Sequence, residues 1–333
     1  MHPRKLGPSA VHVSPVVFGA WAIGGWMWGG NDEQDSLDAI RASIDHGVNT
    51  IDTAAIYGQG YSEELVGRAI TGRRDKVVIA TKCGRRWDSG KGSDPWPTKD
   101  RKGVDVTITS DSRPSSIFYE CEQSLKRLGT DVIDVYQIHW PDRTTAIEEA
   151  MGAMDALRRQ GKIRAIGVSN FDLELLKRAK VAAPALASVQ PPYSLIQRRI
   201  EKDGSLAFCR ENNVGVLCYS PLERGLLAGT VPPERQFKEG DHRATHRFFT
   251  TENRQRVLDA LQRIRPIAET KGVSLAQLVI NWTIHQPGIT AALVGARNAE
   301  QATHNAGAMN FTLTSDELGQ IRHAFDDVSA AMM

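Results

Sequence analysis

Residues 49–58 read NTIDTAAIYG. A short apolar strand over 49–53 delivers Asp52 at its end, and Tyr57 follows five residues later. Two ionisable side chains at the lip of a buried strand pack poorly. They make sense where the strand end opens into a cleft that holds an acid beside its electrostatic tuner. Taken alone, Asp52 also reads as a helix cap and Tyr57 as an ordinary half-buried aromatic. The rest of the chain decides between these readings.

Working outward, the same unit recurs. Apolar runs of strand length stand at 16–22, 49–53, 77–82, 132–139, 163–169, 186–190, 214–219 and 291–295. Amphipathic stretches of helical type lie between them, at 33–46, 62–70, 115–128, 146–159, 172–179, 206–211 and 299–308. Eight buried-type strands alternating with helices imply a parallel sheet, and eight units close a (β/α)8 barrel. A doubly wound sheet is the competing architecture, but no G-x-G-x-x-G follows the first strand, where such a sheet would bind a dinucleotide. With no low-complexity linker and no internal repeat, the expectation is α/β: a (β/α)8 TIM barrel as a single domain over 1–333, with an N-terminal β-hairpin and extra helices.

The hairpin is read at 4–14, where Gly7-Pro8-Ser9 separates two extended runs, placed to plug the barrel bottom. Two extra helices are read at 257–270 and 274–285, and one C-terminal helix at 316–328. Segments 84–113 and 222–250 follow strands three and seven. They read as long loops without structure of their own, on the face where barrels place their chemistry.

Composition narrows the function. The chain has 333 residues, a formal net charge of +2 and 24% charged residues, with Lys and Arg scattered rather than clustered. Nucleic acid is not an expected partner, since phosphate binding needs a basic stripe. Residues 6–30 lack Asp, Glu, Lys and Arg, yet Pro8, Ser9, His12, Ser14 and Pro15 break the run. Neither a signal peptide nor a membrane helix is expected there. Cys83, Cys121, Cys209 and Cys218 form no C-x-x-C pair, which fits small buried residues in a cytoplasmic chain. Of nine His, only His139 falls on an expected strand end, so a metal-dependent hydrolase is not favoured and no metal is expected.

The strand ends carry the chemistry. Asp52 and Tyr57 follow strand two, Lys82 ends strand three, His139 and Trp140 end strand four, Ser169 and Asn170 end strand five, Gln190 ends strand six, and Tyr219 and Ser220 end strand seven. A lone Lys there reads as a snorkelling side chain and a lone His as structural. Their coincidence on one barrel face argues otherwise. A free tyrosine holds its proton too tightly for efficient acid catalysis at neutral pH, and an adjacent cation lowers its pKa. Lys82 supplies that cation, Asp52 aims it, and His139 donates to a substrate oxygen. Such a set protonates an oxygen that gains negative charge as hydride adds to a carbonyl, and the hydride implies a nicotinamide cofactor.

The segments NTIDTAAIYG, VVIATKCG, DVYQIHWPD, GVSNF, SVQPPYSLI, YSPLERGLLAG and LVGARNAEQATHN, in this order, resemble the aldo-keto reductases. The opening LGPSAVHVSPVVFGAWAIGG is similar to that family too, so the resemblance covers nearly the whole chain. SPLERGLLAG and the Gly-Ala-Arg segment look closer to its bacterial and potassium-channel β-subunit-like branch. The resemblance implies Tyr57 as general acid/base, Lys82 and Asp52 as its tuners, and His139 orienting the carbonyl. It implies cofactor contacts from Ser169, Asn170, Gln190, Tyr219, Ser220, Leu222, Gly295, Arg297, Gln301 and Asn305. Trp21 and Trp140 are expected to wall the substrate pocket. The cofactor expected is NADP(H) rather than NAD(H), because Arg297 offers a fork to the 2′-phosphate. The partner expected is a small carbonyl or alcohol; an oligomer is not indicated. A cofactor-binding regulatory protein of the channel-subunit type is the alternative.

Overall fold

The computed structural model describes residues 1–28, 30–237 and 241–332. The chain opens with β1 (Arg4–Lys5) and β2 (His12–Val13), an antiparallel pair. Gly7 makes the intervening turn with φ 53°, and any Cβ there would run into the Ala187 carbonyl. The turn thus presses against the barrel wall, and glycine alone tolerates both constraints. Leu6, Val11 and Val13 pack on the inward side chains Val17, Ala80, Val135, Ala165, Ala187, Leu217, Ala291 and Leu293. The hairpin therefore plugs the bottom of the barrel.

All eight expected strands form. In chain order they are β3 (Val16–Gly19), β4 (Thr50–Asp52) and β5 (Val78–Cys83), then, after an inserted sheet of β6 (Arg85–Arg86), β7 (Ser93–Lys99) and β8 (Asp105–Ser110), the strands β9 (Ile133–Ile138), β10 (Ile163–Ser169), β11 (Leu186–Gln190), β12 (Gly215–Tyr219) and β13 (Ala291–Gly295). The eight barrel strands pair in parallel and close, with β13 against β3. The first is shorter than expected: it stops at Gly19, and Ala22–Gly24 turns into a 3-10 helix.

Helices α1 (Glu33–Asp45), α2 (Tyr61–Ala69), α3 (Pro114–Leu128), α4 (Ile147–Arg159), α5 (Leu173–Ala182), α6 (Arg199–Lys202), α7 (Ser205–Glu211), α8 (Thr251–Lys271), α9 (Leu275–Ile284), α10 (Ala299–Ala306), α11 (Ser315–His323) and α12 (Asp326–Met332) surround the barrel or cover its ends. Side chains satisfy the first N–H groups of several helices: Asp32 accepts from Asp35, Asp172 from Leu175, and Ser274 forms a capping box with Gln277. None of the helices among the described residues is long and apolar enough to cross a membrane.

Several expectations need correction. Segment 84–113 is not a bare loop: β6, β8 and β7 form an antiparallel sheet in that order. Asp100 Oδ1 accepts from the N–H groups of Lys102 and Val104, both at 2.8 Å, which closes the β7–β8 turn. The hairpin is anchored at its far end. Trp26 Nε1 donates to the Lys99 carbonyl at 3.0 Å, the Trp26 and Trp96 rings lie 5.4 Å apart, and Arg101 lies 4.0 Å over the Tyr61 ring. Segment 222–250, where described, holds 3-10 turns at Glu223–Ala228, His242–Thr245 and Arg247–Phe249. The single C-terminal helix is two, α11 and α12, with the fully buried Phe325 at the break between them. The short α6 was not expected, and α8 starts at Thr251 rather than 257.

Candidate active site

Because side chains alternate along a strand, each barrel strand sends every second residue inward. Above the apolar layer over the plug, those inward positions become polar: Asp52 from β4, Lys82 from β5, Gln137 from β9, and Ser188 and Gln190 from β11. Gly167 on β10 faces the same layer, and a Cβ there would stand 2.6 Å from Ser188 Oγ and 2.7 Å from Gln137 Cγ. The glycine leaves room for the Gln137 side chain.

That room is used to satisfy a buried charge. Lys82 and Asp52 side chains are 0% and 3% exposed and form an ion pair at 2.5 Å. An uncompensated ion at this depth would cost several kcal/mol, so the hydrogen-bond inventory decides whether the pair is tolerable. Lys82 Nζ donates to Asp52 Oδ1, to the Thr53 carbonyl at 2.8 Å and to Tyr57 Oη at 3.3 Å. All three ammonium protons are thereby placed. Asp52 Oδ2 accepts from Gln190 Nε2 at 2.8 Å and Gln137 Nε2 at 3.2 Å. The carboxylate is fully engaged, and the lysine has one direction left in which to present its charge: toward the tyrosine oxygen.

The electrostatics follow. Burial pulls the Lys82 pKa down, but Asp52 and Tyr57 outweigh it and the net shift is upward, so Lys82 stays an ammonium. Burial pushes the Tyr57 phenol up and Asp52 adds to this, while Lys82 opposes both. The net shift of Tyr57 is upward. The expectation that the cation brings the phenol below its ordinary value is therefore corrected: in this structure Lys82 offsets part of the burial penalty and does not exceed it. His139 lies edge-on to Tyr57, with ring centroids 5.7 Å apart. Burial, with the charges of Lys82 and Arg85, pushes its pKa well below the ordinary histidine value, which keeps the ring neutral. Trp21 lies 6.3 Å from the Tyr57 ring and meets Trp28 edge-on at 5.3 Å. Trp140 stands on the rim, 40% exposed.

The other strand-end residues form a second group. Tyr219 Oη donates to Asn170 Oδ1 at 2.9 Å, and Asn170 Nδ2 donates to the His139 carbonyl at 3.0 Å and to Ser169 Oγ at 3.1 Å. Ser169 Oγ donates to the Gln190 carbonyl at 2.9 Å. These contacts join the tyrosine–histidine corner to the Tyr219 ring. Ser220 and Leu222 stand half-buried in the next turn. There Ser220, Glu223 and Arg224 all take positive φ, at 59°, 44° and 55°, which costs on the order of 1–3 kcal/mol per non-glycine residue. Glu223 is buried under that turn, accepts from Ser194 Oγ at 2.7 Å, and is pushed up to about 7 by burial.

Across the mouth, Gly295 ends β13 with its backbone exposed, and Asn305 Nδ2 donates to its carbonyl at 3.1 Å. Gln301 Oε1 accepts from the Arg297 N–H at 2.9 Å. The Arg297 guanidinium reaches over to the first loop, where Nε donates to Asn31 Oδ1 at 3.0 Å and Nη2 to the Gly30 carbonyl.

Four participants were not read from the sequence. Gln137 carries a usable signal, a polar residue two positions before His139 and hence on the same strand face. Thr53 acts through its carbonyl and Gly167 through its missing Cβ. Asn31 meets Arg297 across 266 positions of chain, and nothing local marks it. No group of three or more His, Cys, Asp or Glu able to hold a metal ion occurs among the described residues.

Comparison with known proteins identifies the family. The model of the Aldo/keto reductase family matches residues 15–326. The aldo-keto reductase YhdN of Bacillus subtilis is 38% identical over 320 residues, covering 95% of this chain and 91% of that protein. The NADH-specific methylglyoxal reductase of Escherichia coli is 36% identical over 328 residues, covering 97% and 98%. The solved structure of glycerol dehydrogenase AKR11B4 from Gluconobacter oxydans superposes with a TM-score of 0.86 at 38% identity, covering 100% of this chain and 96% of that one.

The electrostatics of His139 are directly measurable. Since its pKa is lowered, the ring is neutral above the ordinary titration range and stays so through it. Imidazole NMR signals assigned with His139→Gln should show no titration of His139 between pH 6 and 8. A midpoint near the ordinary value of about 6.5 would contradict the site described.

Proposed function

The chain belongs to the aldo/keto reductase family, whose chemistry is carbonyl oxidoreduction with nicotinamide cofactors, and from that premise we propose that it exchanges hydride between NADP(H) and a small aldehyde, ketone or alcohol, with Tyr57 as general acid/base. The observation that carries this reading is the Lys82 ammonium, whose three protons go to Asp52, Thr53 and Tyr57.

The donor set suits a nicotinamide nucleotide. Asn170 and Ser169 offer amide and hydroxyl groups for a carboxamide, and Tyr219 offers a flat ring beside them. Gly295 exposes backbone before the N-terminus of α10, where N–H groups favour an anion. Gln301 and Asn305 of α10 would hold the adenosine end, Ser220 and Leu222 the middle, and Gln190 the nicotinamide end. Arg297 has five N–H donors, of which Gly30 and Asn31 take two. The remainder can fork onto a 2′-phosphate, which supports NADP(H), although one relative is named NADH-specific.

When bound, the nicotinamide supplies the hydride, which no side chain can. The chain's own residues manage the proton and the position of the carbonyl. Neutral His139 has one ring N–H to donate to the carbonyl oxygen and so fixes it beside the Tyr57 hydroxyl. Trp21 and Trp140 border the remaining approach and exclude water. As negative charge grows on the oxygen, the Tyr57 proton moves to it. The phenolate left behind is stabilised by Lys82, whose position is held by Asp52. Run backward, the phenolate takes a proton from an alcohol.

Replacing Tyr57 by Phe removes the proton donor and keeps the ring. Positioned acid catalysis contributes about 10²–10⁴-fold, so kcat should fall by that factor, while NADPH affinity from fluorescence quenching stays unchanged. A variant with half the wild-type rate would remove Tyr57 from the role. If wild-type enzyme turned over none of a panel of carbonyls and alcohols, yet bound cofactor, the regulatory alternative would gain.

Arg297→Ala tests the cofactor choice. One charge-assisted hydrogen bond is worth roughly 1.5–3 kcal/mol, so NADPH should bind about 10–100-fold more weakly and NADH almost as before. Equal losses for both, or a wild-type preference for NADH, would contradict the assignment.

A further inference from the structure

The inserted sheet places two consecutive arginines near the barrel mouth, and their surroundings differ. Arg86 points toward α3: it lies 4.7 Å over the Tyr119 ring, donates to Ser116 Oγ at 2.9 Å and pairs with Asp88 at 2.6 Å. Because neighbours on a strand face opposite ways, Arg85 points to the other side. There its guanidinium lies 5.4 Å over the Trp140 ring.

Arg85 is three residues past Lys82 and packs on the residue that follows His139. Its charge reaches the His139 ring, as the depressed histidine pKa records. It is half-buried, yet among the described residues it makes no ion pair and no side-chain hydrogen bond. The acid whose charge reaches it, Asp94, is instead within 3.8 Å of Arg143. An arginine keeps its charge in any protein environment, so this one is partly desolvated with no acid among the described residues within ion-pair distance and only the more distant charge of Asp94 to offset it. A group in that condition next to a reaction site calls for an anion from outside.

We infer that Arg85 is a specificity residue that binds a carboxylate on the substrate, so that the preferred substrates are carbonyl compounds bearing an acid group away from the reacting carbon, or the matching hydroxy acids. This rests on the proposed carbonyl oxidoreduction and names its substrate class. The carbonyl is held at Tyr57 and His139, and the carboxylate lies outward along Trp140, where the guanidinium forks onto both oxygens. One unpaired cation matches the single charge of a carboxylate, whereas a phosphate dianion calls for a second.

The test compares two aldehydes of nearly equal shape, 4-carboxybenzaldehyde and its intrinsically more electrophilic methyl ester, with NADPH and NADH. The wild type should favour the acid over the ester in kcat/KM by about 10–100-fold, the range of a charge-assisted contact. In Arg85→Gln that ratio should collapse toward unity through a raised KM for the acid, and Arg85→Lys should restore part of it. Arg86→Gln, on the other face, should retain the ratio. A wild type with equal kcat/KM for acid and ester overturns the inference whether or not any variant folds, and so does Arg85→Gln that keeps the preference for the acid. Turnover of neither compound with either cofactor overturns the underlying oxidoreductase reading, an outcome distinct from equal turnover of both.

Discussion

The Lys82–Asp52 ion pair is the constraint around which the barrel mouth is built. Two opposite charges with almost no solvent exposure are expensive to keep, and such a pair persists only with nearly complete hydrogen bonding. The chain meets that demand from four strand ends and one turn carbonyl. Gln137 and Gln190 complete the carboxylate, Thr53 and Tyr57 complete the ammonium, and Gly167 leaves the space that Gln137 crosses. Substituting any of these disturbs the others, because they share one buried layer above a plugged apolar core. The hairpin beneath supports function in this sense: Leu6, Val11 and Val13 fill the barrel bottom and back the polar layer from below.

The sequence was most readable where two periodicities repeat. Eight buried strands are hard to miss, since each is apolar throughout and is followed by an amphipathic helix. The polar residues at their ends, Asp52, Lys82, His139, Ser169, Asn170, Gln190 and Tyr219, stand out against apolar interiors, and the structure brings them to one face. Reading failed where partners are distant or where the signal is an absence. Asn31 is tied to Arg297 by a contact that no local pattern announces, and Gly167 matters for the atom it lacks. The inserted sheet was read as loop because both faces of β7 carry polar residues and Pro, which hides strand alternation. The sign of the Tyr57 shift was beyond sequence reasoning, since it depends on weighing burial against one cation.

That inserted sheet changes how the mouth should be viewed. Its far end is held by Trp26, Trp96 and Arg101, and its near end starts directly after β5 at the Lys82 position. It is therefore a wall continuous with the catalytic strand rather than a detached flap. Only Cys83 and Gly84 separate Lys82 from Arg85, so the end of β5 delivers the internal cation and the start of β6 the external one. The first is neutralised by Asp52. Among the described residues the second has no acid within ion-pair distance, and on the inferred role of Arg85 that difference divides proton chemistry from substrate recognition.

The central claim is that Lys82 offsets the burial of the Tyr57 phenol. It is tested most directly by the ionisation of Tyr57 itself. Protein labelled with [13Cζ]tyrosine, with the Tyr57 signal assigned from Tyr57→Phe, can be titrated upward from pH 8 as wild type and as Lys82→Met. Removing the cation leaves burial unopposed, and any charge remaining on Asp52 acts in the same direction. The account predicts that the Tyr57 resonance of Lys82→Met begins to shift at a higher pH than that of wild type, or does not shift before unfolding. A Tyr57 that ionises at the same pH in both proteins, or earlier in the variant, would contradict it.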